Sequence, residues 1–348
     1  MKSLRPTIAV LAALASVSVH AQPGPSLDEI RQQLLPYASS ADVVTLPDGR
    51  KVGFTCMGEG SPTVILIAGM GDFSGMAWGN VQPQLAKTIR VCAWDRPGWG
   101  LSDGAEGKHT VATSTAALEA ALATGAMPGP YVLVGHSLGS YESLLYADRH
   151  RDQVAGMVMV DPSFPDQVAR MVSTGLPVPD PETGPPAQFR KCAAAIRAGS
   201  VKFCGPDPDN CVTYPPFFPP ALAQALGEKV GNPIQYETMA SFMSAFAEDS
   251  TIVINPQRNY GDMPLIVLTA TKQDAPPGVT MTDEQRARQA AFDVEWNRAH
   301  DALAALSTRG VNARVPGANH NIQGTKPQVV VDAVEAVVAE VRAAAPGG

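Results

Sequence analysis

Gly135-His136-Ser137-Leu138-Gly139 sets a serine between two glycines, directly after the apolar run YVLVG (131–135) and before the helical pattern SYESLLYADRH (140–150). A sharp strand-to-helix turn at this point exposes the hydroxyl, and the flanking glycines let neighbouring backbone approach without a Cβ clash. A serine hydroxyl is a poor nucleophile near neutral pH, so it needs a base within hydrogen-bond reach and a third group to orient that base.

The chain has six histidines. His20 lies in the apolar N-terminal stretch, His109 and His150 fall in polar connections, and His136 precedes the serine on the strand side. His300 sits in a charged helical pattern, where a solvated side chain is expected. His320, in Gly317-Ala318-Asn319-His320, follows the last strand-like run, in a loop able to reach back over a sheet edge, and is the expected base. Two acids keep the chain order Ser, Asp, His. Asp274 follows PLIVLTA (264–270) and is preferred; Asp161 ends VAGMVMVD (154–161) and is the alternative. Two backbone donors must face the developing oxyanion. Leu138, the residue after the serine, supplies one, and Met70, in the loop after PTVILIAG (62–69), is expected to supply the other.

The elements that would position these groups alternate. Apolar strand-length runs at 62–69, 90–95, 131–135, 154–161 and 264–270 are interleaved with helix candidates at 78–89, 113–125 and 286–307. A strand at 311–317 and a helix at 327–344 close the series. Short, wholly apolar strands between helices imply a mostly parallel, doubly wound α/β sheet covered on both faces. Ahead of them, ADVVTLPDGRKVGFTC (41–56) carries a hairpin signal at Asp48-Gly49. Ser26-Leu27-Asp28-Glu29 is a capping box opening a short helix in an N-terminal arm, 22–40. From Pro162 to residue 262 Pro and Gly interrupt the pattern around helical runs such as ALAQALGEKV and YETMASFMSAFAE, which reads as an inserted helical cap. The α/β core is thus expected at 41–161 and 263–348. The cap residues Phe203, Phe217, Phe218, Phe242, Met239, Met243 and Phe246 could line an apolar pocket or form the cap's own small core.

Lys2 and Arg5 precede an apolar run, Ile8 to Val19, that ends at Val19-His20-Ala21. This predicts a signal peptide over 1–21 and a periplasmic or secreted protein with no membrane span after cleavage. Cleavage removes two positive charges and no negative ones, taking the formal net charge from −7 to −9. An acidic chain excludes a nucleic-acid partner that needs a basic surface. No nucleotide loop or metal cluster points to a cofactor. Five cysteines in an exported chain permit disulfides and leave one thiol over. Cys204 and Cys211 are the closest in sequence of the three at 192–211 and are the expected cap pair.

The stretches PTVILIAGMGDFSGMAW, RVCAWDRPGWGLSD, GPYVLVGHSLGS and VAGMVMVDPSFPDQ resemble the α/β-hydrolase fold superfamily, specifically its secreted bacterial members. The resemblance is close over 43–161 and in outline over 263–342. It implies about eight strands with the cap inserted between the sixth and seventh, Ser137 as nucleophile, His320 as base, and Met70 and Leu138 as oxyanion donors. The family's strand order runs the second strand antiparallel beside the fourth, which implies a Cys56–Cys92 disulfide. Two positions depart from the usual pattern. Ala68-Gly69 stands where many relatives have His-Gly, touching support of the oxyanion loop, and Gly139-Ser140 stands where many have Gly-Gly.

The expected activity is that of a serine hydrolase cleaving a small-molecule carboxylic ester or lactone through an acyl-enzyme. Dehalogenases and epoxide hydrolases would need a carboxylate at position 137. An amidase or peptidase, or an acyltransferase or perhydrolase, would use the same triad. A hydrolase-like binding protein without catalysis is the alternative from another class.

Overall fold

A computed structural model describes residues 26–39, 42–178, 180–203, 205–271 and 281–344. The predicted signal peptide lies outside the described residues. Eight strands form one sheet: β1 (Asp42–Thr45), β2 (Lys51–Met57), β3 (Thr63–Ile67), β4 (Val91–Trp94), β5 (Tyr131–His136), β6 (Val154–Val160), β7 (Leu265–Ala270) and β8 (Gly310–Val315). Their spatial order is β1-β2-β4-β3-β5-β6-β7-β8. β1 and β2 pair antiparallel, as do β2 and β4, and every later pair is parallel.

Helices cover both faces. In chain order they are α1 (Leu27–Leu34), α2 (Ser74–Trp78), α3 (Gln82–Leu85), α4 (Val111–Ala123), α5 (Gly139–Arg149), α6 (Gln167–Ser173), α7 (Gly184–Arg197), α8 (Pro220–Val230), α9 (Pro233–Ser244), α10 (Phe246–Ile252), α11 (Asp283–Ala304), α12 (Ile322–Thr325) and α13 (Pro327–Ala344). The helix read at 78–89 is divided, because α2 ends at Trp78 and Pro83 sits in the first turn of α3.

Alternation along the strands explains why the runs are apolar throughout. Val64, Leu66, Val132, Val134, Val158 and Val160 face a layer with α13, through Val330, Val334 and Val337. Ile65, Ile67, Leu133, Met157 and Met159 face the opposite layer, with Leu118 of α4, Leu144 of α5 and Trp296 of α11. Successive side chains of a strand point to opposite faces, so burial on both sides leaves no polar positions. The capping box of α1 forms as read, with Glu29 N–H donating to Ser26 Oγ. Leu34 and Tyr37 of this arm are buried in the first layer, and Tyr37 Oη donates to Gln82 at 2.6 Å.

Cys56 and Cys92 are directly opposed in the β2–β4 register and are joined as a disulfide. The second bridge corrects the expected Cys204–Cys211 pair: Cys211 is bonded to Cys192, and Cys204 lies outside the described residues. Proximity in sequence misleads here because Cys192 occupies the buried face of α7. The loop at 205–212 folds back onto that face, with Asp207 accepting from the Cys211 and Val212 amides at 2.7 and 2.8 Å. Among the described residues no helix is long and apolar enough to cross a membrane.

Candidate active site

In a parallel sheet the carboxyl ends of the strands share one edge, and loops from different strands meet there. Ser137 follows β5, Asp161 follows β6, Met70 follows β3, Arg96 follows β4 and His320 follows β8. Ser137 has φ of +48°, the sparsely populated left-handed region in which a strand can turn abruptly into a helix. The turn is held by Ser137 N–H donating to Val160 O at 3.1 Å and by the Ser163 amide donating to Ser137 O at 3.0 Å. Both glycines of the motif are required by close approach. A Cβ on Gly135 would lie 2.6 Å from Ser143 Oγ, and one on Gly139 would lie 2.5 Å from Ile67 O.

Ser137 Oγ and His320 Nε2 are 3.0 Å apart, and His320 Nδ1 and Asp161 Oδ2 are 2.6 Å apart. Of the two candidate acids, the structure places Asp161, the alternative, against His320; the preferred Asp274 lies outside the described residues. Chain order permitted both, but the β8 loop reaches across the end of β7 to the end of β6. Asp161 is fully buried and its second oxygen is occupied: Oδ1 accepts from Ala270 N–H at 2.9 Å and from Trp296 Nε1 at 3.2 Å. The carboxylate is thus locked in one orientation toward the imidazole. Trp296, which sequence reasoning missed, stands one turn before His300 in VEWNRAH, and its buried indole N–H needed a partner.

Gly69 lies against the serine, since a Cβ there would meet Ser137 Cβ at 3.4 Å and His136 Nδ1 at 2.7 Å. The loop carrying Met70 therefore sits directly over Ser137. Among the described residues no acceptor takes up the Met70 or Leu138 amide. Asp95 fixes the far end of that loop, with Oδ1 accepting from Ser74 N–H at 2.8 Å and Oδ2 from Leu101 N–H at 3.0 Å. Asp72, two residues after Met70, was assigned no role from sequence. Burial raises its carboxyl above the ordinary value, while the nearby Arg96 and His320 charges pull it down.

The aromatic and methionine residues between β6 and β7 divide three ways. Phe242 is fully buried with Trp99, Leu138 and Tyr141, and Met239, Met243 and Phe246 pack on that cluster beside Met70. Phe217 and Phe218 join the sheet layer with Phe73, and Phe203 packs in a separate cluster around Cys192 and Tyr236. The first group lies next to both candidate oxyanion donors.

Three other histidines are structural. His136 Nε2 donates to the His320 carbonyl at 3.0 Å, pinning the loop that carries His320. His300, expected to be solvated, is instead fully buried between Pro162 O and Thr269 Oγ1, each at 2.8 Å, and His109 is buried against Phe242. Burial lowers His136 to about 3 and His300 and His109 to about 4. A histidine kept neutral in the fold but protonated in the unfolded chain costs stability as pH falls below about 6.5, roughly 2 kcal/mol each at pH 5. Asp249 has the opposite sign: burial raises it to about 7. It takes up a proton in the fold before the unfolded chain does and returns roughly 3 kcal/mol at pH 5. The buried carboxyls of Asp72 and Asp95 are raised as well and act on the side of Asp249, so the histidine contribution is read from one site: in urea unfolding His300→Gln should lose about 2 kcal/mol less stability than wild type between pH 7 and pH 5. An equal loss in both proteins would contradict the neutral, buried assignment.

The model of the alpha/beta hydrolase family matches residues 64–333. An uncharacterised Schizosaccharomyces pombe protein is 43% identical over 90 residues, which is 26% of this chain and 17% of that protein. The chain therefore spans less than a fifth of that relative's length. Among solved structures, a thermophilic esterase from Thermogutta terrifontis aligns with TM-score 0.54 and 19% identity, over 86% of this chain and 98% of the other. A putative lipase from Acinetobacter baumannii aligns with TM-score 0.55 and 18% identity, over 93% and 99%. At these identities the structural likeness speaks for the fold.

Proposed function

Since the chain belongs to the alpha/beta hydrolase family, we propose that it is an exported serine hydrolase that cleaves carboxylic esters or lactones through an acyl-enzyme. The observation that carries this reading is the chain of two contacts, Ser137 Oγ to His320 Nε2 at 3.0 Å and His320 Nδ1 to Asp161 Oδ2 at 2.6 Å. Ser137 Oγ attacks the carbonyl carbon while its proton passes to His320 Nε2. Asp161 keeps the Nδ1 proton in place and stabilises the imidazolium. The tetrahedral oxyanion accepts from the Met70 and Leu138 amides. As the intermediate collapses, the leaving oxygen takes the proton from Nε2. Water, which reaches the half-exposed His320 side chain, then attacks the acyl-enzyme by the same route. Export is supported by the N-terminal signal pattern and by two disulfides, which suit an oxidising compartment.

The apolar cluster beside Met70 and Leu138 favours an uncharged hydrocarbon acyl group. Each methylene buried there contributes about 0.8 kcal/mol, close to fourfold in affinity. On p-nitrophenyl esters kcat/KM should rise by at least about tenfold from acetate to butyrate, with the matching anilides turned over far more slowly. A flat or falling series would remove the apolar acyl site from the proposal. Faster anilide than ester turnover would replace the esterase with an amidase.

A further inference from the structure

Arg96 is only 2% exposed, so it is out of reach of substrate, yet four of its hydrogen bonds converge on the elements that carry the chemistry. Nη1 donates to Gly69 O at 2.7 Å and Nη2 to Ala68 O at 2.5 Å. Nη2 also donates to Glu142 Oε2 at 2.7 Å and Nε to Glu142 Oε1 at 3.3 Å, and Glu142 is fully buried on α5, the helix that begins just after Ser137. Ser114 of α4 donates to the same carboxylate. The guanidinium therefore ties the loop bearing Met70 to the helix that follows the nucleophile.

The bond to Gly69 O has a directional consequence. The carbonyl of Gly69 and the N–H of Met70 belong to one peptide unit, which is planar and trans, so the two point in opposite directions. Whatever fixes the carbonyl fixes the amide. We propose that Arg96 is a positioning residue for the oxyanion site: by holding the Gly69 and Ala68 carbonyls on one side of the loop, it aims the Met70 N–H at the serine on the other. A planar fork with five donors can serve two carbonyls and a carboxylate together, whereas an ammonium on a flexible stem cannot hold all three in fixed directions.

This inference rests on the acyl-enzyme reading above, and the experiment separates the two. Arg96→Lys keeps the positive charge and loses the fork. With rates normalised to Ser137 sites titrated by a fluorophosphonate, kcat on p-nitrophenyl butyrate should fall about 10- to 100-fold, below the loss for deleting such a donor outright. KM should change less than about threefold, and the affinity of an aryl boronic acid, whose serine adduct is a tetrahedral anion, should weaken in parallel with kcat. A purely structural Arg96 would lower the melting temperature and the fraction of titratable sites but leave kcat per site and boronate affinity unchanged, and that result overturns the proposal. Glu142→Gln is read alongside, so that the proposal does not depend on Arg96→Lys folding. It leaves both carbonyl bonds in place, so stability should fall while kcat per site stays within about threefold; a larger fall in kcat per site would assign the effect to the ion pair and overturn the proposal. Wild-type protein that neither hydrolyses the ester nor titrates would instead defeat the acyl-enzyme reading itself.

Discussion

Asp161→Asn should lower kcat by about 10⁴-fold with little change in fold or KM. The cause lies in the two oxygens of Asp161. Oδ1 accepts from Ala270 N–H and Trp296 Nε1, and Oδ2 faces His320 Nδ1. An asparagine must keep its oxygen toward the two donors, because an NH₂ group there would leave both of them buried without an acceptor at about 1–3 kcal/mol each. Its NH₂ group therefore turns to His320 and donates to Nδ1. The ring proton is then forced onto Nε2, and the nitrogen that should accept the Ser137 proton already carries one. The substitution changes a tautomer without removing a contact. Asp274→Asn should stay within about threefold of wild type, since Asp161 already occupies Nδ1. An Asp161→Asn enzyme that retained more than a tenth of wild-type kcat would exclude Asp161 as the acid.

Ser137→Ala and His320→Ala should each cost on the order of 10⁶-fold in kcat, and the double variant should cost no more than either alone. The serine without its base is not a nucleophile, and the base without the serine has no proton to take. The rate that remains would come from binding and from the Met70 and Leu138 amides. Neither side chain is part of the buried core, so both single variants should melt close to wild type. Losses that add on a logarithmic scale would mean that the two residues act in separate steps, contrary to the shared proton transfer.

That Ser137 and His320 would meet was legible in the sequence because each is marked locally, one by the glycines and the strand-to-helix context, the other by its place after the final strand. The parallel core was legible because strands buried on two faces have to be apolar at every position. Asp161 could not be separated from Asp274 in that way: both follow strands, and only the register of β6 with β7 places the end of β6 where Ala270 N–H and Trp296 can fix its carboxylate. His300 was read as solvated because its helix is rich in charge, yet the face it occupies is turned to the sheet, where Pro162 and Thr269 supply its partners. Arg96 carried no local signal at all, since its acceptors lie 27, 28 and 46 positions away. The sequence departs from its resemblance at Ala68-Gly69, in the loop whose carbonyls Arg96 holds. The Cys192–Cys211 bridge depends on which face of α7 is buried, and in a segment broken by proline the periodicity that would reveal that face is too short to read.

In the proposed reaction Ser137 becomes covalently acylated. Folded wild-type protein treated with a fluorophosphonate should gain the mass of one adduct, and peptide mapping should place it on Ser137, with the adduct lost in Ser137→Ala and formed far more slowly in His320→Ala. Unmodified Ser137 in folded protein, or an adduct that persists in Ser137→Ala, would contradict the account.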